Sequence, residues 1–575
     1  MKKIIQSKYT PYILLILLTA VISAPIFTMN LFLNNEATLH MSRFLAVDGI
    51  LKDGVFPPII SYKYMEGFGY ALNLFYGPLT TFIPIIFLNL FGTAGMAFKT
   101  FSILTVILSG ITMYKFMLSV TNRKSMSIIA ALIYISAPYK LSDIYSRNAI
   151  GEYTAFIFIP IVFEGLHNLI NGDKKKHYLL IIGVVGLVLS HTITTIYIAL
   201  FAIIYLLLNI KKLKDIDIWK KAIIDIIISF LICAFYVFPL LEHTLGGEYV
   251  LYSQEKMLTT GENVYSTTLG FKELFANEAG EQEIRFSIGI VTIILSVLTF
   301  FCVKKVKKEH DKIYSDFLIL AIISLFMCTK LFPWTIMPGV LTVIQFAWRN
   351  LGFFAFFISL ICGINAIVFA EELIKKKLWK ETFLFGIVVS IFVFAFLGVF
   401  RDWRFDNISK EADLDKMVRE KQEIGPFQIN REYMPLKAQK DINYILKREN
   451  KTYVLNGEAE IVSEQKEKLE DTITLKNVQN DTILELPYLY YFGYEATAKY
   501  GDTTEKLEIT ESENGFLSVK LKESDNVSIS VQYTGTILEK AGYIVSILGI
   551  IIFILYRLKE GKFNERREEV KKLHK

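Results

Sequence analysis

Long apolar runs separated by short basic loops constrain the fold of this chain more than any other feature. A helix of about 20 apolar residues crosses a bilayer, and runs close to this length recur along most of the 575 residues. We therefore predict a polytopic α-helical membrane protein with about 12 spans, in which the long run 178–210 is a tight pair. The runs lie near residues 11–31, 98–120, 125–141, 152–170, 178–210, 221–241, 285–303, 313–329, 350–371, 381–400 and 538–556.

Basic loops between the apolar runs set the predicted orientation. Cytoplasmic loops of membrane proteins are enriched in Lys and Arg, and one assignment places every basic loop from residue 123 onward in the cytoplasm. It requires the run 74–92, which contains two prolines, to be re-entrant or interfacial rather than a span. The N- and C-termini are then cytoplasmic, and the first run is a retained signal anchor. The net charge of +6 is a property of these loops and does not indicate a nucleic-acid partner.

A charged insert precedes the last apolar run. Its second half alternates apolar and polar residues between turn signals such as Asn456-Gly457 and Asn514-Gly515, which predicts a β-sandwich-like domain. Its first half, 405–450, has helical and irregular character. Because the insert lies between two spans, we expect it to be extracellular. The expected parts are a transmembrane bundle (1–400, with an outer loop at 32–97), the soluble domain (401–537), and the final helix with a basic tail (538–575).

The most informative polar residues follow the first apolar run. Glu36, His40 and Arg43 are spaced i, i+4 and i+7, which places them on one stripe of a helix. Ionisable groups beside a membrane span are costly unless they are used, so we expect an outward-facing polar site. Five further ionisable residues fall at the predicted outer ends of other spans: Asp143, Arg147, Glu152, His191 and Arg349.

An outward-facing site has no access to cytoplasmic ATP or nucleotide sugars, so its activated substrate must arrive through the lipid bilayer. A polyprenyl-phosphate-linked sugar is such a donor. Transfer from it requires a general base for the acceptor hydroxyl, and Glu36 is the candidate base, with His40 sharing or tuning the proton. Guanidinium groups match a departing phosphate. The candidate substrate-binding residues are Arg43, Tyr70, Tyr76, Arg147, Glu152, His191 and Arg349.

Several short motifs resemble those of the YfhO-like bacterial membrane proteins of the GT-C glycosyltransferase superfamily. They are the acidic-x-x-x-His-x-x-Arg pattern at 36–43, Gly67-Phe-Gly-Tyr-Ala-Leu-Asn-Leu-Phe-Tyr-Gly-Pro78, Arg147-Asn-Ala-Ile-Gly-Glu152 followed by Pro160, Gln345-Phe-Ala-Trp-Arg349 and Leu486–Tyr494.

The resemblance implies a GT-C-like bundle in a bacterial plasma membrane. It also implies inverting transfer of a sugar from a polyprenyl-phosphate donor to a cell-envelope polymer, which is lipoteichoic acid in the best-known relatives. Enzymes of this fold class usually have Asp where this chain has Glu36. Some of them use a divalent cation, and because the sequence contains no full ligand set, metal dependence stays open and no other cofactor is expected.

Simpler interpretations compete with each of these assignments. Glu36 is also placed to cap its helix, since an acid favours the N-terminal dipole. Arg147 and Glu152 are close enough in sequence to form a structural ion pair. Arg349 follows a tryptophan, as interfacial anchors do. His191 lies in a tight turn, where packing is the more common role.

Two other functions compete with the enzyme. A transporter or flippase for lipid-linked saccharides would carry ionisable groups near mid-span and often has repeated halves with broken helices. Only Asp225 and Glu164 approach span interiors here, and no internal repeat is visible, which favours a transferase. A structural scaffold for wall synthesis would leave the polar cluster unexplained.

Overall fold

The structure is a computed structural model that describes residues 9–28, 35–252, 260–276, 286–306, 308–402 and 431–573. It combines a helical region, which extends to Asp402, with a β-rich domain and a last long helix. The helices of eight or more residues are Thr10–Thr28, Asn35–Lys52, Leu79–Phe91, Ala94–Thr121, Lys124–Ile135, Ile159–Ile170, Leu179–Val188, Thr192–Leu208, Ile216–Gly246, Ile290–Val297, Lys308–Met327, Asn350–Glu372, Lys377–Asp402 and Ile537–Leu573.

Within the described ranges, six helices are long and apolar enough to cross a membrane, and a seventh is formed if a pair bent by 40° is one span. The predicted count of about 12 spans is therefore not shown. Several predicted spans form shorter or interrupted helices instead. The six are Ala94–Thr121, Ile150–Ile170, Ile216–Gly246, Ala347–Glu372, Lys377–Phe400 and Ile537–Lys559, and the bent pair is Lys124–Ile135 with Pro138–Arg147.

The two apolar stretches that were not predicted to be single spans form short helices. The stretch 178–210 forms the helices Leu179–Val188 and Thr192–Leu208, which meet at a three-residue turn. The run 74–92 forms Leu79–Phe91, called here the loop helix, whose 13 residues are fewer than a span needs.

The last helix, Ile537–Leu573, packs closely along Ile216–Gly246. Gly542 and Gly549 are seven residues apart and therefore share a face of the last helix. A Cβ atom at Gly542 would lie 2.8 Å from the carbonyl oxygen of Ala234, and one at Gly549 would lie 2.8 Å from the amide nitrogen of Ile232. Glycine at these positions lets the two backbones approach, as small residues do between membrane helices.

The β-rich domain contains two antiparallel sheets, which confirms the predicted strand-rich C-terminal domain. Strands such as β3 and β9 bury alternate residues, as expected when two sheets face a common core. The expected helical first half of the insert lies partly at 403–430, outside the described residues. The sheet orders are β1-β4-β8-β7 and β2-β3-β9-β5-β6, with β1 Tyr453–Asn456, β2 Glu460–Glu467, β3 Glu470–Val478, β4 Thr482–Leu489, β5 Tyr494–Tyr500, β6 Thr503–Leu507, β7 Ile509–Glu511, β8 Phe516–Leu521 and β9 Ser524–Tyr533.

The β-rich domain docks on the loop that follows the helix Asn35–Lys52. The ammonium group of Lys466 donates a hydrogen bond to the carbonyl oxygen of Gly67 at 2.9 Å. The amide of Leu489 donates to the carbonyl oxygen of Phe68 at 3.0 Å, and the ring of Phe68 meets that of Phe516 edge to face. The domain is therefore attached to the same loop that precedes Tyr70 and Tyr76.

Candidate functional site

The helix Asn35–Lys52, called here the entry helix, carries the three residues that the sequence singles out. Its regular turn places Glu36, His40 and Arg43 along one face, as the spacing predicts. His40 and Arg43 are completely buried, whereas Glu36 is half-buried. The carboxylate at the first turn therefore keeps some access to solvent, and the two groups deeper along the helix have none.

Glu152 is the centre of an ion-pair cluster. Its Oε2 atom accepts a hydrogen bond from Arg147 Nη1 at 2.9 Å and lies 3.4 Å from Arg349 Nε. Its Oε1 atom accepts from the hydroxyl of Tyr139, and Arg147 also donates to Asp143. These carboxylates are buried and already neutralised by guanidinium groups, as buried charges require.

Aromatic rings cover this cluster. The guanidinium carbon of Arg147 lies 4.6 Å from the centre of the Trp348 ring, and that of Arg349 lies 5.0 Å from the Phe346 ring. Arg349 also donates to the side chain of Gln345 at 2.7 Å. Arg147 and Arg349 are thus held from several sides. Arg147 and Glu152 form the ion pair that was one of the alternatives for them.

Glu36 lies next to this cluster and is affected by it. Burial raises the pKa of the Glu36 carboxyl above its ordinary value of 4.5, and Arg147 and Arg349 oppose that rise. The negative charges of Glu152 and Glu432 add to it. A carboxylate with a raised pKa is a stronger proton acceptor than a free one, which is what a general base needs.

Arg43 has a different environment. Its Nη1 atom is 3.3 Å from His40 Nδ1 and donates to Thr80 Oγ1 at 3.3 Å, and its guanidinium carbon lies 4.4 Å from the centre of the Tyr76 ring. Its Nε and Nη2 atoms have no hydrogen-bond partner among the residues that the structure describes. A buried cation with only neutral neighbours is costly, so this guanidinium is available to an anion.

His40 has one unsatisfied nitrogen as well. Because a guanidinium can only donate, Nδ1 of His40 accepts from Arg43, and the proton of the neutral ring is on Nε2. Burial and the Arg43 charge both lower the pKa of His40 well below its ordinary value, which keeps the ring neutral. In the described part of the chain Nε2 has no hydrogen-bond partner, so it is a free donor.

Tyr76 links the entry helix to the segment that carries Glu152. Its hydroxyl accepts a hydrogen bond from the amide of Gly151 at 3.2 Å, and its ring lies 5.0 Å from that of His40. A Cβ atom at Gly151 would lie 2.5 Å from the Tyr76 hydroxyl, so only glycine permits this contact. Tyr76 therefore belongs to the candidate site, as the sequence suggests.

His191 begins the helix Thr192–Leu208. Its Nδ1 atom accepts from the backbone amide of Thr194 at 3.3 Å, which is a helix cap. Burial lowers the pKa of His191 to about 3, although the charge of Glu152 opposes this shift. His191 is thus near the cluster as a neutral ring, and its visible contacts are those of a packing residue.

Tyr70 contacts Tyr433, and its role in substrate binding, expected from the sequence, stays a prediction. The side chain is completely buried, and its hydroxyl accepts a hydrogen bond from the amide of Tyr433 at 3.1 Å. Tyr70 therefore supports the segment 431–436, called here the strap.

The strap was not foreseen as part of the site. Its residues Glu432 and Met434 accept hydrogen bonds from the amides of Leu251 and Val250 at 2.7 and 3.0 Å. Its Tyr433 ring stacks on Phe75 at 5.3 Å. No motif in the sequence marks the strap. Tyr139 was not foreseen either, and Asp143 was given no role in binding or catalysis, although the i, i+4 spacing of Asp143 and Arg147 is a visible signal.

Metal binding is not indicated by the described residues, because they contain no group of three or more His, Cys, Asp or Glu side chains placed to hold an ion. The four cysteines are buried and unpaired.

Fold and site together define a helical membrane protein with a β-rich C-terminal domain and a buried cluster of charges between its helix ends. Residues 74–404 match a family described as "6-pyruvoyl-tetrahydropterin synthase related domain; membrane protein". The match covers more than half of the chain, and the chain belongs to this family. The matched segment includes Tyr76, Arg147, Glu152, His191 and Arg349 and begins after the entry helix.

Two further similarities extend over nearly the whole chain. An uncharacterized protein of Lactococcus lactis subsp. cremoris (strain MG1363) is 25% identical over 590 residues, which cover 95% of this chain and 94% of the relative. The cryo-EM structure of the arabinosyltransferase EmbB from Mycobacterium smegmatis aligns with a TM-score of 0.34 and 9% identity, covering 92% of this chain and 65% of that protein. A likeness at this score does not establish a shared fold, and the YfhO-like resemblance stays a prediction.

Proposed function

We propose that the protein is a membrane glycosyltransferase that moves a sugar from a polyprenyl-phosphate donor to a cell-envelope polymer, such as lipoteichoic acid, outside the bacterial plasma membrane. One observation carries the proposal: the entry helix combines a half-buried carboxylate of raised pKa with a buried guanidinium that has no acidic partner in the described structure. A base and a free cation on one helix face suit a reaction that takes a proton and releases a phosphate.

In the proposed reaction, Glu36 accepts the proton of an acceptor hydroxyl as its oxygen attacks the anomeric carbon of the donor sugar. The bond between that carbon and the phosphate oxygen breaks, and its electron pair leaves with the lipid phosphate. Attack from the face opposite the phosphate inverts the anomeric centre. Arg43 and the Nε2 proton of His40 are the donors free to stabilise the phosphate.

The arginines of the ion-pair cluster have a second role in this proposal. Arg147 and Arg349 were expected to hold the phosphate, but they already contact Glu152. We propose instead that they set the pKa of Glu36, because their positive charges oppose its rise. Tyr76 then separates the base from the phosphate-binding cation, and its ring face is a platform for a sugar.

The test is transfer by the purified full chain in liposomes, supplied with a polyprenyl-phosphate sugar and a lipid-anchored polymer acceptor. Glu36→Gln should lower kcat by about 10²–10⁴-fold, which is the usual contribution of a general base. The control is Asp53→Asn, which removes an acid from the outer loop beyond the end of the entry helix. Wild-type transfer by Glu36→Gln would refute the base. Translocation of the donor without transfer would instead indicate a flippase.

A further inference from the structure

A small cavity lies beside the entry helix, on the side of Arg43. It measures about 40 Å³ and is lined by residues of the entry helix, the loop after it, the loop helix, the helix Ile216–Gly246 and the last helix. A water molecule needs roughly 10–15 Å³ of such space, so the cavity has room for a small group such as a phosphate. Its lining includes Arg43, Thr81, Phe82, Phe235, Tyr236 and Tyr543.

Two side chains at this cavity, Arg43 and Thr81, have polar atoms without a hydrogen-bond partner among the described residues. Arg43 is completely buried and its Nε and Nη2 atoms have no hydrogen-bond partner in the described ranges, and the Oγ1 atom of Thr81 has none either. Buried hydrogen-bonding groups are nearly always satisfied in native proteins. Two guanidinium donors that point in adjacent directions match two oxygens of a phosphate.

The walls of the cavity come from membrane helices. Phe235 and Tyr236 belong to the candidate span Ile216–Gly246, and Tyr543 belongs to the candidate span Ile537–Lys559. Phe82 of the loop helix lines the same cavity and is 40% exposed. An apolar gap between helices that ends at a buried cation suits a molecule with a hydrocarbon tail and an anionic head.

We propose that this cavity binds the phosphate head of a lipid that enters sideways from the bilayer, between the loop helix, the helix Ile216–Gly246 and the last helix. Arg43 holds the phosphate, and Phe82, Phe235 and Tyr543 contact the first part of the tail. The last helix, which follows the β-rich domain in sequence, is thus one wall of the lipid entrance.

The inference deepens the proposed function, on which it rests for the identity of the lipid. Glu36 and Arg43 are seven residues apart, which is about 10 Å along a helix. A phosphate at Arg43 and an acceptor hydroxyl at Glu36 would then lie along the same face of the entry helix, on either side of His40. The cavity itself depends only on Arg43 and its neighbours, so lipid binding is measurable without any transfer.

Binding is tested with the full chain in nanodiscs of neutral lipid, using three probes: a polyprenyl phosphate, the same polyprenol without phosphate, and inorganic phosphate. We expect the polyprenyl phosphate to bind, the polyprenol and inorganic phosphate to bind at least about tenfold more weakly, and Arg43→Gln to remove most of that difference. Arg43→Lys, which keeps the charge and loses the planar fork, should lie between the two. The matched control is Lys140→Met, since Lys140 is a buried cation outside the cavity.

A second variant keeps Arg43 and narrows the entrance. Phe82→Trp should weaken the binding of the polyprenyl phosphate and leave the binding of inorganic phosphate unchanged. This difference distinguishes a lipid site from a site for a free anion. Equal binding of polyprenyl phosphate by wild type and Arg43→Gln would overturn the inference, and so would inorganic phosphate that binds as tightly as the lipid. Glu36→Gln should retain lipid binding, so loss of transfer with intact binding refutes neither the cavity nor Arg43.

Discussion

Two buried arginines, one in each part of the molecule, each have two guanidinium nitrogens without a hydrogen-bond partner in the described residues, but only one of them lies beside an acid. In the β-rich domain, Arg448 lies 3.5 Å from Glu485, whose oxygens also accept from Tyr444 and Ser512 at 2.6 Å each. In the helical region, Arg43 contacts only neutral groups of the described residues. A buried charge with a satisfied acid belongs to the architecture of a domain, whereas one without an acid points to a ligand.

The largest expected effect concerns the paired arginine. Arg448→Met leaves Glu485 buried without its cation, which should lower the free energy of unfolding by about 3–5 kcal/mol. Thermal unfolding of the detergent-solubilised chain measures this loss. The control is Arg448→Met with Glu485→Leu, which removes both charges and should recover most of the stability. An unchanged unfolding transition in Arg448→Met alone would contradict the structural role of Arg448.

The unpaired arginine should respond in the opposite direction. Arg43→Met removes a buried charge that contacts no acid of the described segments, so the ligand-free chain should be more stable by about 1–2 kcal/mol. The same unfolding measurement, in detergent without phospholipid, tests the sign. A clear loss of stability would show that Arg43 supports the fold, as Arg448 does.

The next expected effect concerns the arginines around Glu152, whose charges change the pKa of Glu36. Glu36 must be ionised to act as a base, and its pKa is raised by burial and lowered by Arg349. Arg349→Gln removes that positive charge, so the pKa of Glu36 rises further and a smaller fraction is ionised at any acidic pH. The acid limb of kcat/KM against pH should therefore move to higher pH. A limb that stays in place or moves to lower pH would contradict the assignment.

The smallest expected effect distinguishes the roles of Tyr70 and Tyr76. Tyr70→Phe removes the hydrogen bond from the amide of Tyr433, which should cost about 0.5–1.5 kcal/mol of stability and leave KM for the donor unchanged. Tyr76→Phe is the paired variant, and it should raise KM because its hydroxyl positions the ring between base and cation. A raised KM in Tyr70→Phe would instead support the predicted role of Tyr70 in substrate binding.

The sequence predicts features whose cause is local. The spacing of Glu36, His40 and Arg43 fixes a common face because a helix repeats every 3.6 residues. The turn signals between the alternating segments likewise indicate the β-rich domain. Hydropathy predicts the number of spans less well, because an apolar run does not show where a helix is interrupted. One interruption is at Leu298, between the helices Ile290–Val297 and Thr299–Cys302.

The sequence does not predict contacts between distant segments. Tyr433 is more than 350 residues from Tyr70, and nothing in either neighbourhood indicates that they meet. The sequence likewise does not show that Arg43 contacts no acid of the described residues, since Glu36 and Asp48 flank it on the same helix. Only the packed structure shows that the nearest partners of Arg43 are an imidazole, a hydroxyl and a ring.

The strap has a consequence for the biogenesis of the protein. Chains emerge and are inserted from the N-terminus, so the entry helix and the helices bearing Arg147 and Arg349 are in place long before residue 431 is synthesised. The strap then attaches backward to residues 248–251 and forward to Tyr491, whose hydroxyl donates to the Tyr433 carbonyl. A nascent chain therefore acquires its charged groups early, and the contacts that hold the strap form only after the β-rich domain has been synthesised.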